Sequence, residues 1–300
     1  MNSTQGHAVS TTIGVNVEQS VPRIRMVSGG GDLQLHVREW GQVEGPSVLL
    51  LHGWSGNHMC WRGQVDSELA EEFRMVAVDL RGHGMSGRPL DSATYHDRAL
   101  WAADVAAVID VLELDRPTLV GWSYGGFVIA DYVREHGTDD ISAINLVGGA
   151  VTLNERFDHI GPAFLAAAPG ATQDDLPTKI DALRRFWRSM THEPMAEVDL
   201  ETGLCGSMVV PPQILGALIS RQIDSDDVLG RLTLPVLVTH GRHDQIVLPS
   251  MAEHVLHVCP TAEPSWYEAT GHMPFLEDRT RFNRELTDLA RRATTTGTRR

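Results

Sequence analysis

The chain has 300 residues, of which 42% are hydrophobic, and a formal net charge of −14 at pH 7. This length and apolar content suffice for one large core, either as a single domain or as a core that carries an insertion. The acidic balance argues against nucleic acid or an anionic membrane as a partner, because both require a basic surface.

The cysteines and the chain ends indicate no disulfide framework, metal site or secretory signal. Cys60, Cys205 and Cys259 are widely spaced, which favours neither a disulfide framework nor a metal-ligand cluster. The N-terminal residues lack the basic start and apolar core of a secretory signal, and no apolar run reaches transmembrane length. We therefore expect a cytoplasmic protein with mobile tails at residues 1–20 and 292–300. A homo-oligomer remains open.

Apolar runs alternate with helical periodicity along much of the chain. The patterns predict strands at residues 32–40, 47–51, 73–79, 117–120, 141–147, 234–239 and 265–267. They predict helices at residues 61–72, 95–112, 127–135, 250–257 and 278–291. This order of elements is typical of an α/β protein with a mostly parallel sheet and helices on both faces.

The alternation stops between residues 149 and 229, a stretch far longer than an ordinary connection. We interpret these residues as a helical lid inserted into a core of residues 21–148 and 230–291. The lid and the core would then enclose a cleft for a small molecule.

An apolar stripe at helical spacing within the predicted lid includes Phe186, Trp187 and Met190. Such a stripe faces either the cleft or the core. We name these three residues, together with Trp122, as candidate substrate-binding residues.

The segment Gly-Trp-Ser-Tyr-Gly at residues 121–125 joins a predicted strand to a predicted helix. Glycines two residues before and after Ser123 allow the backbone to fold back sharply, since no side chain collides at the turn. This geometry would lift the serine hydroxyl out of the sheet, where it could act as a nucleophile.

A serine hydroxyl needs a base within hydrogen-bond reach and a third group that orients the base. His272 follows the last predicted strand and Asp244 follows the strand before it. Both loops, like Ser123, should lie at the carboxyl edge of the sheet. We therefore predict that His272 accepts the Ser123 proton and that Asp244 holds the imidazole in the required tautomer.

Two further loops follow predicted strands. Residues 52–57 read His-Gly-Trp-Ser-Gly-Asn, and we expect the backbone N–H groups of Trp54 and Tyr124 to stabilise an oxyanion, although a plain turn is the alternative. In residues 79–86 we expect Asp79, Arg81 and His83 to hydrogen-bond a buried loop instead of taking part in catalysis.

His240 and His243 could be read as a metal pair. Their spacing is not the i, i+4 of a helical zinc site, and the sequence offers no obvious third ligand. We therefore expect neither a metal nor a cofactor.

From about Val27 to Leu289 the chain closely resembles the α/β-hydrolase superfamily. The resemblance rests on Leu51-His52-Gly53-Trp54, residues 79–86, residues 121–126, Gly241-Arg242-His243-Asp244 and Gly271-His272-Met273-Pro274-Phe275. It implies Ser123 as nucleophile, Asp244 as acid, His272 as base, and Trp54 and Tyr124 as backbone donors. The Trp after His52-Gly53 and the residues 244–247 look like those of the bacterial esterases often called non-haem haloperoxidases, although this chain has a longer lid.

The resulting expectation is a serine hydrolase that cleaves a small carboxylic ester or lactone through an acyl-enzyme. Three alternatives stay open. A carbon–carbon bond hydrolase or perhydrolase would keep the serine, and a cofactor-independent dioxygenase would use the His272–Asp244 pair as a base on an aromatic substrate. The third is a non-catalytic ligand receptor.

Overall fold

An eight-stranded sheet forms the centre of the chain, which the computed structural model describes over residues 21–154 and 156–297. Its strands are β1 (Arg23–Ser28), β2 (Gln34–Gly41), β3 (Ser47–Leu51), β4 (Arg74–Val78), β5 (Thr118–Trp122), β6 (Ala143–Val147), β9 (Val236–Gly241) and β10 (Ala262–Tyr267), with β7 (Thr152–Leu153) and β8 (Ile223–Asp224) forming a separate pair. The spatial order is β1-β2-β4-β3-β5-β6-β9-β10. Neighbours from β4 to β10 run parallel, whereas β2 is antiparallel to both β1 and β4. The prediction of a mostly parallel sheet is confirmed.

The central strands are buried along their whole length. Every residue of β3, β5, β6 and β9 is buried, which requires cover on both faces and explains why these strands read as continuous apolar runs. Leu49 and Leu50 are 0% exposed. Truncating such a side chain to alanine typically costs about 2–5 kcal/mol of stability.

Helices surround this sheet. They are α1 (Arg62–Val65), α2 (Leu69–Glu72), α3 (Ala93–His96), α4 (Arg98–Val111), α5 (Gly125–His136), α6 (Pro162–Ala171), α7 (Leu176–Arg188), α8 (Glu197–Met208), α9 (Pro212–Ile219), α10 (Asp226–Leu229), α11 (Pro249–Val258), α12 (Pro274–Glu277) and α13 (Arg279–Gly297). The predicted helix at residues 95–112 is divided at Asp97, because its carboxylate caps α4 by accepting from the backbone N–H of Ala99. The predicted helix at residues 61–72 is likewise divided, into α1 and α2.

The chain ends differ from the prediction in two places. β1 was not among the predicted strands, because most of its side chains are at least partly exposed and the edge strand lacks a clear apolar run. The final helix continues to Gly297, beyond the predicted end near Arg291. The predicted N-terminal tail at residues 1–20 lies outside the described residues.

The residues between β6 and β9 contain helices α6 to α10 and the β7–β8 pair. They contact the core next to β9, where Ile160 and Val247 form an antiparallel bridge and Gly161 N donates to Ile246 O at 2.8 Å. Among the described helices, none alone has the length and apolar character of a membrane span, and only α8 and α9 taken together, bent by 92°, pass that test.

Candidate active site

Ser123 lies on the turn between β5 and α5 with a φ angle of +54°, a conformation that non-glycine residues rarely adopt. Hydrogen bonds hold this turn: Ser123 N donates to Val147 O, and Ser123 O accepts from Gly126 N and Ala150 N, all at 2.9–3.0 Å. A Cβ at Gly125 would lie 2.5 Å from the oxygen of Leu51, so glycine is required there. The predicted sharp elbow is present.

Asp244 and His272 meet at the carboxyl edge of the sheet. Nδ1 of His272 lies 2.7 Å from Oδ2 of Asp244, and both side chains are buried. The other carboxylate oxygen accepts from the backbone N–H groups of Ile246 and Val247 at 2.8 and 3.0 Å. Among the described residues, Nε2 of His272 has no hydrogen-bond partner although it is buried.

The carboxylate of Asp244 is ionised. Burial alone would raise its pKa, but the electrostatic interaction with His272 and the hydrogen bonds from His240 and His272 outweigh this effect and hold the pKa well below its usual range. Nε2 of His240 lies 3.3 Å from Oδ2 of Asp244 and 2.9 Å from the oxygen of Val247. Sequence reasoning considered His240 only as a metal ligand. Because His240 lies in β9 and Asp244 in the following loop, the helical i, i+4 rule does not apply, and the sequence pattern gave no signal for their contact.

Two predicted substrate-binding residues instead hold the main chain of His272. The indole N–H of Trp122 donates to His272 O at 3.0 Å, and Met190 O accepts from His272 N at 2.7 Å. Both side chains are about 1% exposed. Trp122 and Met190 therefore contribute to the position of the imidazole.

The backbone N–H groups of Trp54 and Tyr124 form no hydrogen bond with other described residues. The loop that carries Trp54 lies against Ser123, since a Cβ at Gly53 would be 2.9 Å from Cβ of Ser123. The next residue, Ser55, has a φ of +59°. Its N–H donates to His83 and its oxygen accepts from Ser207. The backbone N–H and oxygen of Ser55 are thus engaged, whereas no described residue accepts from the N–H of Trp54.

A cavity of about 390 Å³ opens at Ser123. No charged side chain lines it, and most of its lining residues are aliphatic or aromatic. They are Trp54, Ser123, Tyr124, Phe127, Ala150, Leu153, Ile160, Phe164, Leu218, Ile219, Ile246 and Val247.

Phe186 and Trp187 do not line this cavity. Phe186 packs edge-on against the ring of Trp54 at 5.1 Å, so it supports a lining residue from behind. Trp187 donates from Nε1 to Ser207 Oγ at 2.8 Å and lines a second cavity of about 450 Å³ beside Met59. The predicted stripe is therefore buried between α7 and its neighbours instead of facing Ser123.

The loop that contains Asp79 and His83 hydrogen-bonds itself and its neighbours, as predicted. His52 donates from Nδ1 to Gly53 O and accepts on Nε2 from Leu80 N, and His83 donates from Nδ1 to Arg81 O. Burial lowers the pKa of His52 to about 3 and that of His83 to about 4. Both imidazoles are neutral, because protonation would place an N–H against a backbone N–H.

His36, His58 and Asp79 bring three possible ligand atoms within 4.8 Å of one another. Both oxygens of Asp79 already accept hydrogen bonds, from Nδ1 of the two histidines and from the backbone N–H groups of His58 and Met85 at 2.8–2.9 Å. A metal would have to displace these donors. The cluster therefore fits a buried carboxylate stabilised by N–H groups better than a metal site.

Comparisons with known proteins identify the family of the chain. A family model described as alpha/beta hydrolase fold matches residues 46–279. The pimeloyl-[acyl-carrier protein] methyl ester esterase of Vibrio vulnificus is 28% identical over 264 residues, which cover 85% of this chain and 98% of the esterase. The bifunctional esterase/perhydrolase DCH of Acinetobacter calcoaceticus is 28% identical over 232 residues, covering 72% of this chain and 80% of that protein.

Among solved structures, the esterase RhEst1 from Rhodococcus sp. ECU1013 superposes with a TM-score of 0.85 at 35% identity, covering 90% of this chain and 99% of that one. The family model matches more than half of the chain, and the similarity to RhEst1 extends over most of it. These two findings establish the fold and the enzyme class. The chain belongs to the α/β-hydrolase family and is a hydrolase of the esterase type.

Proposed function

We propose that the protein is a serine carboxylic ester hydrolase with Ser123 as nucleophile, His272 as base and Asp244 as acid. The observation that carries the proposal is the set of groups around Ser123. A strained serine lies beside the backbone N–H groups of Trp54 and Tyr124, to which no described residue offers an acceptor, at the mouth of an uncharged cavity. An oxyanion hole beside a serine is the arrangement that acyl transfer requires.

In the first half-reaction, Oγ of Ser123 attacks the carbonyl carbon of the ester while Nε2 of His272 takes the hydroxyl proton. The carbonyl oxygen becomes an oxyanion and accepts from the N–H groups of Trp54 and Tyr124. Asp244 stabilises the imidazolium that forms. His272 then protonates the departing alkoxide, which leaves as the alcohol, and the acyl group remains on Ser123.

In the second half-reaction, His272 removes a proton from water, and the resulting hydroxide attacks the acyl carbon. Collapse of the second tetrahedral intermediate breaks the bond to Ser123, whose oxygen regains the proton from His272, and the carboxylic acid is released. Within the described part of the chain, Nε2 of His272 forms no hydrogen bond with Oγ of Ser123. Such bonds are often long until substrate is bound.

The lining of the cavity supports a small, uncharged, apolar acyl group as the substrate moiety that it holds. A carboxylate or ammonium in the acyl group would lose its hydration without gaining a charged or strongly polar partner, which is costly. Leu153, Ile160, Phe164, Leu218 and Ile219 belong to the segment of residues 149–229. We propose this segment as a lid that shapes the acyl pocket of an ester or lactone.

The experiment that tests the proposal is labelling with a fluorophosphonate, which reacts with an activated serine and requires no knowledge of the natural ester. We expect an adduct on Ser123, identified by peptide mass spectrometry, and its loss in His272→Ala. Ser123→Ala should abolish hydrolysis of p-nitrophenyl esters. Leu165→Ala, next to a lining residue but not itself in the lining, serves as a variant with an unaltered pocket.

Folded protein that forms no adduct and hydrolyses no ester would contradict the proposal. Oxygen uptake with a heteroaromatic substrate that survives Ser123→Ala would instead favour the dioxygenase alternative. Tight ligand binding without turnover would favour the receptor alternative.

A further inference from the structure

Arg221 is a buried cation that lies next to the proposed oxyanion hole. It follows α9, whose residues Leu218 and Ile219 line the acyl cavity, and it is 5% exposed. A buried guanidinium needs both a counter-charge and hydrogen-bond acceptors, because it has lost its hydration. The groups that supply them identify what Arg221 holds in place.

Both partners of Arg221 belong to the elbow and the helix that leaves it. Nη2 donates to Oδ2 of Asp131 at 2.6 Å, and Nη1 donates to the hydroxyl of Tyr124 at 3.1 Å. Tyr124 and Asp131 are seven residues apart, which places them on the same face of α5 two turns apart. The planar guanidinium therefore bridges the first residue after Ser123 and the middle of the helix.

The ring of Tyr124, which also borders the cavity at Ser123, packs against two further aromatic rings. It packs at 5.5 Å against Trp101 and edge-on at 5.2 Å against Phe127, and the guanidinium lies 5.5 Å from the ring of Trp101. Burial raises the pKa of Tyr124 to about 12, so its hydroxyl is neutral at pH 7 and accepts from Arg221. The side chain of Tyr124 is thus held by a hydrogen bond from Arg221 and by the rings of Trp101 and Phe127.

We propose that Arg221 is a positioning residue for ester hydrolysis: it aims the backbone N–H of Tyr124 at the oxyanion by fixing the Tyr124 side chain and the start of α5. The inference rests on the proposed function and adds a residue of the lid segment to the machinery that stabilises the transition state. It acts through Tyr124 and does not contact the substrate itself. A displaced donor loses strength mainly in the transition state, where the negative charge develops.

The test measures kcat and KM with p-nitrophenyl butyrate. Removing an oxyanion-hole donor typically lowers kcat by about 100- to 1000-fold. Misdirecting one through Arg221→Met should therefore lower kcat by about 10- to 100-fold, with KM within about threefold of wild type. Tyr124→Phe keeps the backbone N–H and should lower kcat by about 3- to 10-fold. The two changes combined should lower kcat no further than Arg221→Met alone, because they break the same link.

Arg221→Met leaves Asp131 buried without its partner, and this could unfold the protein. The variant Arg221→Met/Asp131→Leu removes both charges and should restore thermal stability while kcat stays low. The matched control is Arg134→Met. Arg134 also joins α5 to the chain beyond α9, through Asp227 and the oxygen of Asp224, but it is more exposed and does not contact Tyr124. The kcat of the Arg134→Met variant should remain within about twofold of wild type.

A second measurement is the inhibition constant of a trifluoromethyl ketone, whose adduct with Ser123 places an oxyanion at the same donors. In Arg221→Met this constant should rise by about the factor by which kcat falls. A stable Arg221→Met/Asp131→Leu variant with wild-type kcat, or Tyr124→Phe with wild-type kcat, would overturn the inference alone. A wild-type protein that neither hydrolyses an ester nor reacts with the fluorophosphonate would overturn the proposed function first.

Discussion

The indole N–H of Trp122 donates to the main-chain oxygen of His272 at 3.0 Å, so the residue just before the proposed nucleophile holds the loop that carries the proposed base. Trp122 is about 1% exposed and its ring centroid lies 5.5 Å from that of His272. The elbow therefore carries the proposed nucleophile and, through Trp122, also helps to hold the loop of His272.

Trp122→Phe removes this hydrogen bond but keeps an aromatic ring. We expect kcat to fall by about tenfold, because small displacements of a base cost one to two orders of magnitude, while acyl-chain preference and KM change little. Steady-state kinetics with a series of p-nitrophenyl esters checks this. A change in acyl preference without a loss of kcat would instead make Trp122 a pocket residue.

Asp244→Asn should lower kcat by about 10⁴-fold, as expected when the orienting acid can no longer select the imidazole tautomer. The fold should survive, because Oδ1 of the amide can still accept from Ile246 N and Val247 N. Circular dichroism and rates of fluorophosphonate labelling test the two halves of this expectation. Substantial turnover by a folded Asp244→Asn variant would remove Asp244 from the mechanism.

Phe164→Ala should enlarge the acyl cavity, since Phe164 lines it and packs at 5.1 Å against Trp54. We expect the ratio of kcat/KM for the octanoate ester to that for the acetate ester to rise by about tenfold, which corresponds to the apolar contact of about one or two methylene groups. The neighbouring Leu165→Ala is the control, because Leu165 is 43% exposed. Equal ratios in the two variants would place the acyl group elsewhere.

Stability should fall with acid because of His52 and His83. Their pKa values in the folded protein are about 3 and 4, below the 6.5 of an unfolded histidine, so the unfolded chain binds more protons between these limits. The stabilising contribution is complete above about pH 6.5 and is lost as the pH falls towards the folded values. Between pH 6.5 and pH 5 each histidine should remove about 2 kcal/mol from the free energy of unfolding.

Urea unfolding at pH 7.5, 6 and 5 measures this dependence. His83→Gln offers an amide in place of the imidazole and should flatten the decline, whereas His257→Gln, at an exposed position on α11, should not. A decline that is the same in both variants would mean that other groups titrate.

Much of the fold was predictable because its strands are unusually apolar. The run at β3 is buried at every residue. A strand buried on both faces is a continuous apolar run, which can be recognised from its own sequence without knowledge of the neighbouring strands. The elbow was equally predictable, because it requires glycine: Gly125 approaches the oxygen of Leu51 so closely that a larger side chain is excluded. By contrast, β1 lies at the edge with mostly exposed side chains, and its pairing with β2 depends on residues that the local pattern does not contain.

The pocket could not be predicted because periodicity reports that a side chain is buried, without reporting against what. Phe186 and Trp187 have the spacing of a buried stripe and are 2–3% exposed, yet the cavity at Ser123 is lined by Phe164 and Leu218 from other helices. The role of Arg221 could not be predicted either, because the sequence gives no sign that this residue is buried. A lone arginine after a helix resembles a surface residue until the fold brings Asp131 and Tyr124 to it.

The segment between β6 and β9 is fastened to the core at several separate points: Met190 to the main chain of His272, Gly161 to Ile246, and Arg221 to Asp131. Two of these points adjoin residues of the proposed triad. Because the proposed lid is fastened in this way, we expect that it does not exchange between relatives as an independent module. A chimaera that receives another esterase's segment would inherit a new pocket together with a displaced base, so changes of substrate in this lineage should proceed through single residues inside the cavity.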